Sequence, residues 1–278
     1  MKFKIGLCQM AVGENKALNL AKAENMILEA SKKNCDILVL PEMFNCPYKN
    51  EAFPLYAEEF GMETTQKLSQ WARKHKIYLF GGTIPELSIH EEEKKQIYNT
   101  CFIFDRKGEL LGRYRKMHLF DIEIKDKVTF KESDTLSKGN EIVTIDTEFG
   151  KIGVAICYDL RFPELMRALA LKGCQVIIVP AAFNTTTGPK HWNLTLRARA
   201  VDNQVYMVGA SPARDCSSFY QAYGYSSIID PWGDVISQGD EKEGIITSEI
   251  DLDYVEEVRN QLPLLKHRRT DRYDLIIK

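Results

Sequence analysis

The stretch Gly153-Val154-Ala155-Ile156-Cys157-Tyr158-Asp159-Leu160-Arg161-Phe162-Pro163-Glu164 decides how the rest of the chain is read. An apolar, partly β-branched run stops at a cysteine, and an Asp, an Arg and a Pro-Glu pair opening a helical pattern follow. The pattern predicts a thiol at the tip of a strand, beside a helix N-terminus. Backbone N–H groups and the helix dipole there favour negative charge and lower a thiol pKa. A nucleophilic cysteine needs such surroundings. A buried structural cysteine fits the same stretch, because most cysteines are of that kind, so this segment alone leaves both readings open.

Two more residues bear on the choice. Glu42 follows the short apolar run Asp36-Ile37-Leu38-Val39-Leu40-Pro41, which places it just past another strand end. Lys116 lies in Tyr114-Arg115-Lys116-Met117-His118-Leu119-Phe120, after a strand-like run from Leu110 to Tyr114. Ligands of α/β sheets bind at strand ends, where the chain turns into helix or loop. A carboxylate, an ammonium and a thiol at three such ends make a site. Taken singly, Glu42 reads as a helix-initiating acid and Lys116 as a solvated surface charge.

Outward from these points the chain alternates strands and helices. Strand patterns cover 3–10, 35–40, 77–83, 97–105 and 109–114, the last two joined by the turn Arg106-Lys107-Gly108. Helical spacing covers 17–33 and 63–76. The charged run Glu91–Lys95 reads as a solvated loop between strands. The scheme restarts with strands 142–146 and 151–156, a helix at 163–172, a strand at 175–179 and a helix at 190–203. Several strands from 205 to 250 and a helix at 254–261 complete it. No Ser/Gly-rich linker interrupts the pattern, which predicts one α/β domain over residues 1–278.

A weak internal repeat runs through it. Cys35-Asp36-Ile37-Leu38-Val39-Leu40-Pro41-Glu42-Met43-Phe44 is echoed by Cys174-Gln175-Val176-Ile177-Ile178-Val179-Pro180-Ala181-Ala182-Phe183, and Lys4-Ile5-Gly6-Leu7 by Lys151-Ile152-Gly153-Val154. This suggests two related halves packed face to face. Ala181 stands where Glu42 stands, so only the first half supplies the acid.

Composition narrows the function classes. With 44% hydrophobic residues, 278 residues can bury a full core. A net charge of −2 without a basic block gives no footprint for nucleic acid or an anionic membrane. No apolar run approaches the ~18 residues of a membrane span, and the N-terminus enters a strand at once, leaving no room for a signal peptide. The seven cysteines are odd in number and lack CxxC spacing. Free thiols in a reducing cytoplasm are expected. The five histidines have no metal-ligand spacing with them, so neither metal nor organic cofactor is expected.

Together, Glu42 in Pro-Glu-Met-Phe, Lys116 in Tyr-Arg-Lys-Met-His-Leu-Phe and Cys157 in Cys-Tyr-Asp-Leu-Arg-Phe-Pro-Glu resemble the Glu-Lys-Cys triad of the nitrilase superfamily of carbon-nitrogen hydrolases. The resemblance runs from Lys4 to about Tyr273. Within the superfamily the chain looks most like the ω-amidases, through Phe120-Asp121-Ile122, Thr129-Phe130-Lys131-Glu132-Ser133, Ala182 to Pro189, Arg199 to Val205 and Ala210 to Asp215. Met43 and Cys46 depart from common choices, and the segment Ser88–Lys95 is long. The resemblance implies a four-layer α-β-β-α sandwich and a homodimer joined through the helix beginning at Pro163 and the C-terminal tail.

It also implies the chemistry. Amide hydrolysis by a thiol needs a base, an oxyanion donor, an acid for departing ammonia and a water for the thioester. The resemblance gives Glu42 the base and acid roles and Lys116 the oxyanion, with a second glutamate, Glu132, orienting the lysine or the substrate. ω-Amidases cleave the terminal amide of α-keto acids such as α-ketoglutaramate and α-ketosuccinamate, so the far carboxylate needs a clamp. Arg161, Phe183 and Thr187 match that end of the family's pocket, with Phe44 and Tyr48 closing its side. A structural pairing of Arg161 with Glu164 or Asp159 is its other reading. A Cys-His protease built on His118 or His191 would leave the Glu-Lys pair unexplained. Other amidases of the superfamily, acting on deaminated glutathione or aliphatic amides, share the triad, as do true nitrilases. A non-catalytic module would have no reason to keep all three residues.

Overall fold

The computed structural model describes residues 1–89, 94–125, 128–218 and 220–277. The first half runs β1 (Lys2–Gln9), α1 (Lys16–Ser31), β2 (Ile37–Val39), α2 (Phe53–Tyr56), α3 (Glu63–His75), β3 (Tyr78–Phe80), β4 (Ile84–Ile89), β5 (Lys95–Phe104) and β6 (Leu110–Arg115). A hairpin, β7 (Asp121–Ile124) and β8 (Val128–Lys131), leads to the second half. That half comprises β9 (Thr144–Thr147), β10 (Gly150–Val154), α4 (Pro163–Leu171), β11 (Val176–Pro180), α5 (Gly188–Asn203), β12 (Tyr206–Ala210), β13 (Ser227–Ile229), β14 (Val235–Gln238), β15 (Gly244–Asp251) and α6 (Leu252–Gln261).

The repeat read in the sequence is a repeat in space. β1, β2 and β3 are parallel neighbours at the centre of one sheet; β10, β11 and β12 hold the same places in the other. These strands are buried on both faces, which is why they read as unbroken apolar runs. Gly6 and Gly153 occupy matching positions. A Cβ on Gly6 would come within 3.0 Å of the Cys35 sulfur, and one on Gly153 within 3.2 Å of the Cys174 sulfur. The Gly and Cys of each echo are therefore one packing unit, used twice.

Phe3, Ile5, Leu7, Ile37, Val39 and Phe80 of the first sheet share a core with Ile152, Val154, Val176 and Ile178 of the second. The alternate residues of the first sheet, Cys8, Leu38 and Leu79 among them, pack outward against Leu20, Ala23 and Ile27 of α1 and Leu68 and Trp71 of α3. α4 and α5 pack on the outside of the second sheet. The result is the α-β-β-α sandwich expected. β15 returns from the far end of the chain to pair with β1 along its whole length, so the last strand completes the first sheet.

β4 was not foreseen. Pro85 lies within it, opposite Asn99 of β5. β4 is the last strand of its sheet, and an edge strand tolerates proline because one side of it makes no ladder bonds. Of the run Glu91–Lys95, residues 91–93 lie outside the described residues, and Lys95 already begins β5. The expected strand 151–156 ends at Val154, leaving two residues, Ala155 and Ile156, before Cys157.

The turn after β2 is held from behind by Gly82, whose φ of +55° is a left-handed conformation. A Cβ there would run into the Pro41 carbonyl oxygen, next to Glu42. Gly82→Ala should therefore lower stability by about 2–4 kcal/mol and depress activity through the displaced Glu42. Chemical denaturation and amide turnover are the measurements, and an unchanged midpoint would contradict this account of the turn.

Candidate active site

Four segments bring their side chains to one place. Glu42 follows β2, Lys116 follows β6, Glu132 opens a 3-10 turn after β8, and Cys157 opens another, Cys157–Arg161, after β10. Lys116 and Glu132 have 0% exposed surface and Glu42 1%. A charge taken this far from water must be paired and hydrogen-bonded. The Lys116 Nζ donates to Glu42 Oε1 at 2.9 Å, to Glu132 at 2.9 Å and, more weakly, to the Tyr48 hydroxyl at 3.4 Å. Tyr48 spends its one proton on Glu132 Oε1 at 2.6 Å. Asn99 Nδ2 donates to Glu42 at 2.8 Å, and the Phe120 amide to Glu132 at 2.7 Å. Among the described residues the Oε2 atom of Glu42 has no hydrogen-bond partner. The Cys157 thiol is close enough to Glu42 for the carboxylate to raise its pKa.

Two carboxylates face one ammonium here, and the titration of the cluster follows. Burial raises the Glu42 carboxyl above the ordinary range against the opposing pull of Lys116. Burial alone would push Lys116 down, but Glu132 and Glu42 outweigh it and hold the ammonium well up. Burial also drives the Cys157 thiol well above its usual value, and Glu42 adds to that, while Lys116 and the Ala182 amide pull the other way. The expectation of a depressed thiol pKa is thus corrected. Cys157 belongs to a five-residue turn that ends before α4 begins at Pro163, and loss of water outweighs nearby dipoles. The Cys157 thiol is thus held neutral beside the buried Glu42 carboxyl.

Both reactive turns carry backbone strain. Cys157 has φ +45° and Met43, next to Glu42, φ +51°, conformations costing roughly 1–3 kcal/mol each in non-glycine residues. Thr83 Oγ1 holds Met43 by its amide at 2.8 Å. Asp159 holds the cysteine turn: its Oδ2 accepts from the Ile156 amide at 2.9 Å and the Tyr114 hydroxyl at 2.7 Å, and its Oδ1 from the His118 amide at 2.9 Å. The His118 ring sits 2.7 Å from the same Oδ1 and stacks on Phe162. Asp159 therefore fastens the nucleophile's turn to the segment that carries Lys116, and it is not free to pair with Arg161.

The other expected residues divide. Tyr48 proves central, as a member of the charge cluster. Phe183 is buried and has the Arg161 guanidinium 4.8 Å above its ring. Arg161 contacts neither Glu164 nor Asp159; its Nη1 lies 3.0 Å from His191 Nδ1. The Thr187 hydroxyl is turned to Asn184 Oδ1 at 3.1 Å. Phe44 is a correction: it belongs with Leu38 and Leu40 to the core under the helices, beside Leu20, Ile27 and Leu68, because the period-2 alternation of the strand carries on through the turn and puts Phe44 on the same side as Leu38 and Leu40.

Sequence reasoning passed over Tyr220, which has no pattern around it. Its ring lies 4.5 Å from that of Tyr48, its hydroxyl donates to the Ala182 carbonyl, and its ionisation feels Cys157, Glu42 and Arg161. Together with Glu42, Met43, Cys46 and Ala213 it encloses only about 30 Å³, room for little more than a water molecule. Wider grooves of about 820 and 770 Å³ lie elsewhere, along α1 and between α4 and the C-terminal tail. They lack a comparable cluster, so chemistry and not size marks the site.

Residues 4–260 match the profile of the carbon-nitrogen hydrolase family. The chain belongs to that family. Within it, omega-amidase NIT2 of Mus musculus is 49% identical over 98% of this chain and 96% of its own length. The Homo sapiens omega-amidase NIT2 is 46% identical over 99% and 98%. The crystal structure of Saccharomyces cerevisiae Nit3, a member of branch 10 of the nitrilase superfamily, matches with a TM-score of 0.88 at 44% identity, covering 96% of this chain and 97% of that one. The NitFhit protein of C. elegans matches at 0.88 and 36%, covering all of this chain and 67% of that one. The four-layer sandwich is that of the family.

A protonated resting thiol has a measurable signature. Alkylation of Cys157 by iodoacetamide, followed by peptide mass spectrometry to separate it from exposed Cys216, should still be accelerating at about pH 9, above the ordinary cysteine value. A rate that levels off below neutral pH would mean a thiolate at rest.

Proposed function

We propose that this chain is an ω-amidase, hydrolysing the terminal amide of a small carboxylate-bearing substrate to acid and ammonia through a Cys157 thioester. The observation that carries the reading is the sealed Glu42–Lys116–Glu132 cluster against Cys157, on a chain nearly half identical to omega-amidases over almost its full length.

Glu42 takes the thiol proton as the sulfur attacks the amide carbon. That transfer moves charge within the cluster without changing its total, so it escapes the cost of creating a new buried charge. The oxyanion that forms is received by Lys116 and by the Tyr158 amide. Of the ammonium's three contacts, the 3.4 Å one to Tyr48 is the weakest and is the one a substrate oxygen displaces. Glu42 then gives its proton to the departing nitrogen, and the C–N bond breaks to release ammonia. A water, deprotonated by Glu42, attacks the thioester carbon; the C–S bond breaks, and the proton returns to sulfur. Losing one oxyanion donor typically lowers turnover by about 10²–10³-fold. Arg161 above Phe183 takes the far carboxylate.

Cys157→Ala should abolish turnover while leaving the fold intact, with Glu42→Gln nearly as damaging, and quenched wild-type protein should carry an acyl adduct on Cys157. Ammonia release should be fastest with α-ketoglutaramate in a panel with glutamine, deaminated glutathione, propionamide and a nitrile. Arg161→Met should raise KM for α-ketoglutaramate by roughly 30-fold or more, the usual effect of losing a desolvated charge partner, and far less for propionamide. A faster reaction with deaminated glutathione or the nitrile would reassign the substrate class. Residual activity in Cys157→Ala above trace would reject the mechanism.

The single domain acts in a reducing cytoplasm, as its seven free cysteines suggest, and pairs as a homodimer. Support for pairing comes from the groove between α4 and the tail, lined by Phe162, Leu165 and Ile276, with Ile276 83% and Tyr273 62% exposed. A two-fold interface needs such a self-complementary apolar patch. Sedimentation at micromolar concentration should give twice the chain mass; a monomer rejects the pairing. Among the described residues no helix is long and apolar enough to cross a membrane.

A further inference from the structure

Arg161 stands in unusual company. Its guanidinium lies over the Phe183 ring at 4.8 Å and beside that of Tyr158 at 5.8 Å. Its charge reaches the Tyr220 hydroxyl, which also feels Cys157 and Glu42, so it borders the reacting groups. A carboxylate partner would fix an arginine side chain and cancel its charge. Among the described residues Arg161 has no carboxylate partner. It is held by His191, in the first turn of α5, through the 3.0 Å contact from Nη1 to Nδ1. A guanidinium has only donors, so Nδ1 must be the accepting nitrogen and the ring must be neutral, with its proton on Nε2. Burial and the neighbouring Arg161 and Lys190 charges keep that ring neutral by lowering its pKa. α5 also steadies the turn beneath: Arg199 Nε donates to the Leu160 carbonyl at 3.1 Å.

We propose that His191 is a specificity-determining positioning residue: a neutral acceptor that aims the Arg161 guanidinium across Phe183 while leaving its charge uncancelled for the carboxylate of the substrate. The substrate class this selects is a short linear amide whose other end is an anion. This rests on Arg161 being the carboxylate clamp. His191 touches neither the scissile amide nor Cys157, so its replacement acts on binding of the charged end and spares the bond-breaking steps.

The test compares two near-isosteric replacements, His191→Asn and His191→Asp, each of which offers an oxygen near the place of Nδ1 and which differ only in charge. Succinamate serves as the anionic amide and butyramide as a neutral one of similar length, on protein of matched melting temperature. His191→Asn should keep KM for succinamate within about threefold. His191→Asp should raise it about tenfold or more, equivalent to ~1.4 kcal/mol, with kcat and the butyramide KM within about twofold. His191→Leu, which removes the acceptor, should also raise the succinamate KM selectively. Equal effects of Asn and Asp, or equal losses on both amides, overturn the proposal. Arg161→Met, run alongside, separates the two levels. If it penalises succinamate selectively while the His191 variants do not, the clamp stands and the role of His191 falls. If it penalises both amides alike, the clamp itself is wrong, and the proposal goes with it.

Discussion

A lysine ammonium sealed from water between two glutamates is the constraint around which the rest of this molecule is arranged. Lys116 has no exposed surface, and neither carboxylate beside it has solvent to fall back on. Removing one partner from such a buried group typically costs 3–5 kcal/mol, because the survivor keeps its desolvation penalty and loses its compensation. The partners must therefore arrive together, and they come from three separate strand ends. Asn99, Tyr48 and the Phe120 amide are recruited for the lone pairs and protons left over. Burial, more than any single charge, sets the protonation here: it raises both the Cys157 thiol and the Glu42 carboxyl, with Glu42 adding to the first and Lys116 opposing both.

That arrangement demands accurate backbone, and the fold supplies it through strain locked by packing. The two turns that present Glu42 and Cys157 each contain a non-glycine residue with positive φ. Such turns persist only where the surroundings overdetermine them. Gly82 and Thr83 brace the first turn, and Asp159, with four donors gathered on its two oxygens, braces the second. Because two of those donors belong to His118, the Asp159 carboxylate also fixes the spacing between the nucleophile and Lys116.

The pseudo-symmetry of the sandwich explains why this can be built at all. Two copies of a three-strand parallel unit face each other, so strand ends from both halves open onto one seam. The copies have diverged in the turn after the second strand. The first keeps Glu42; the second has Ala181 and offers the Ala182 amide, which pulls the Cys157 thiol pKa down. One half contributes the Glu42 carboxyl and the Lys116 ammonium, and the other the Cys157 thiol and its turn.

Much of this was legible in the chain itself. Central strands buried on both faces appear as short apolar runs such as Ile37–Val39 and Val176–Pro180, and helices α1, α3, α4 and α5 appear as apolar stripes at helical spacing. Reactive residues at strand ends stand out because polar groups directly after such runs are rare. Local order decides these features, so local sequence reports them. β4 was hidden because Pro85 argues against a strand unless its place at a sheet edge is known. Phe44 was misplaced because which face of the strand looks toward the helices, the one it shares with Leu38 and Leu40, is settled only when the two sheets pack. The protonated state of Cys157, the packing of Tyr220 on Tyr48 and the holding of Arg161 by His191 rather than by Asp159 or Glu164 depend on groups far apart in the chain. Desolvation and hydrogen bonding between such groups exist only once the two sheets have met. The sequence alone carried the order of strands and helices and the candidate site residues at their ends; only the tertiary structure decided the charge of those residues and their partners.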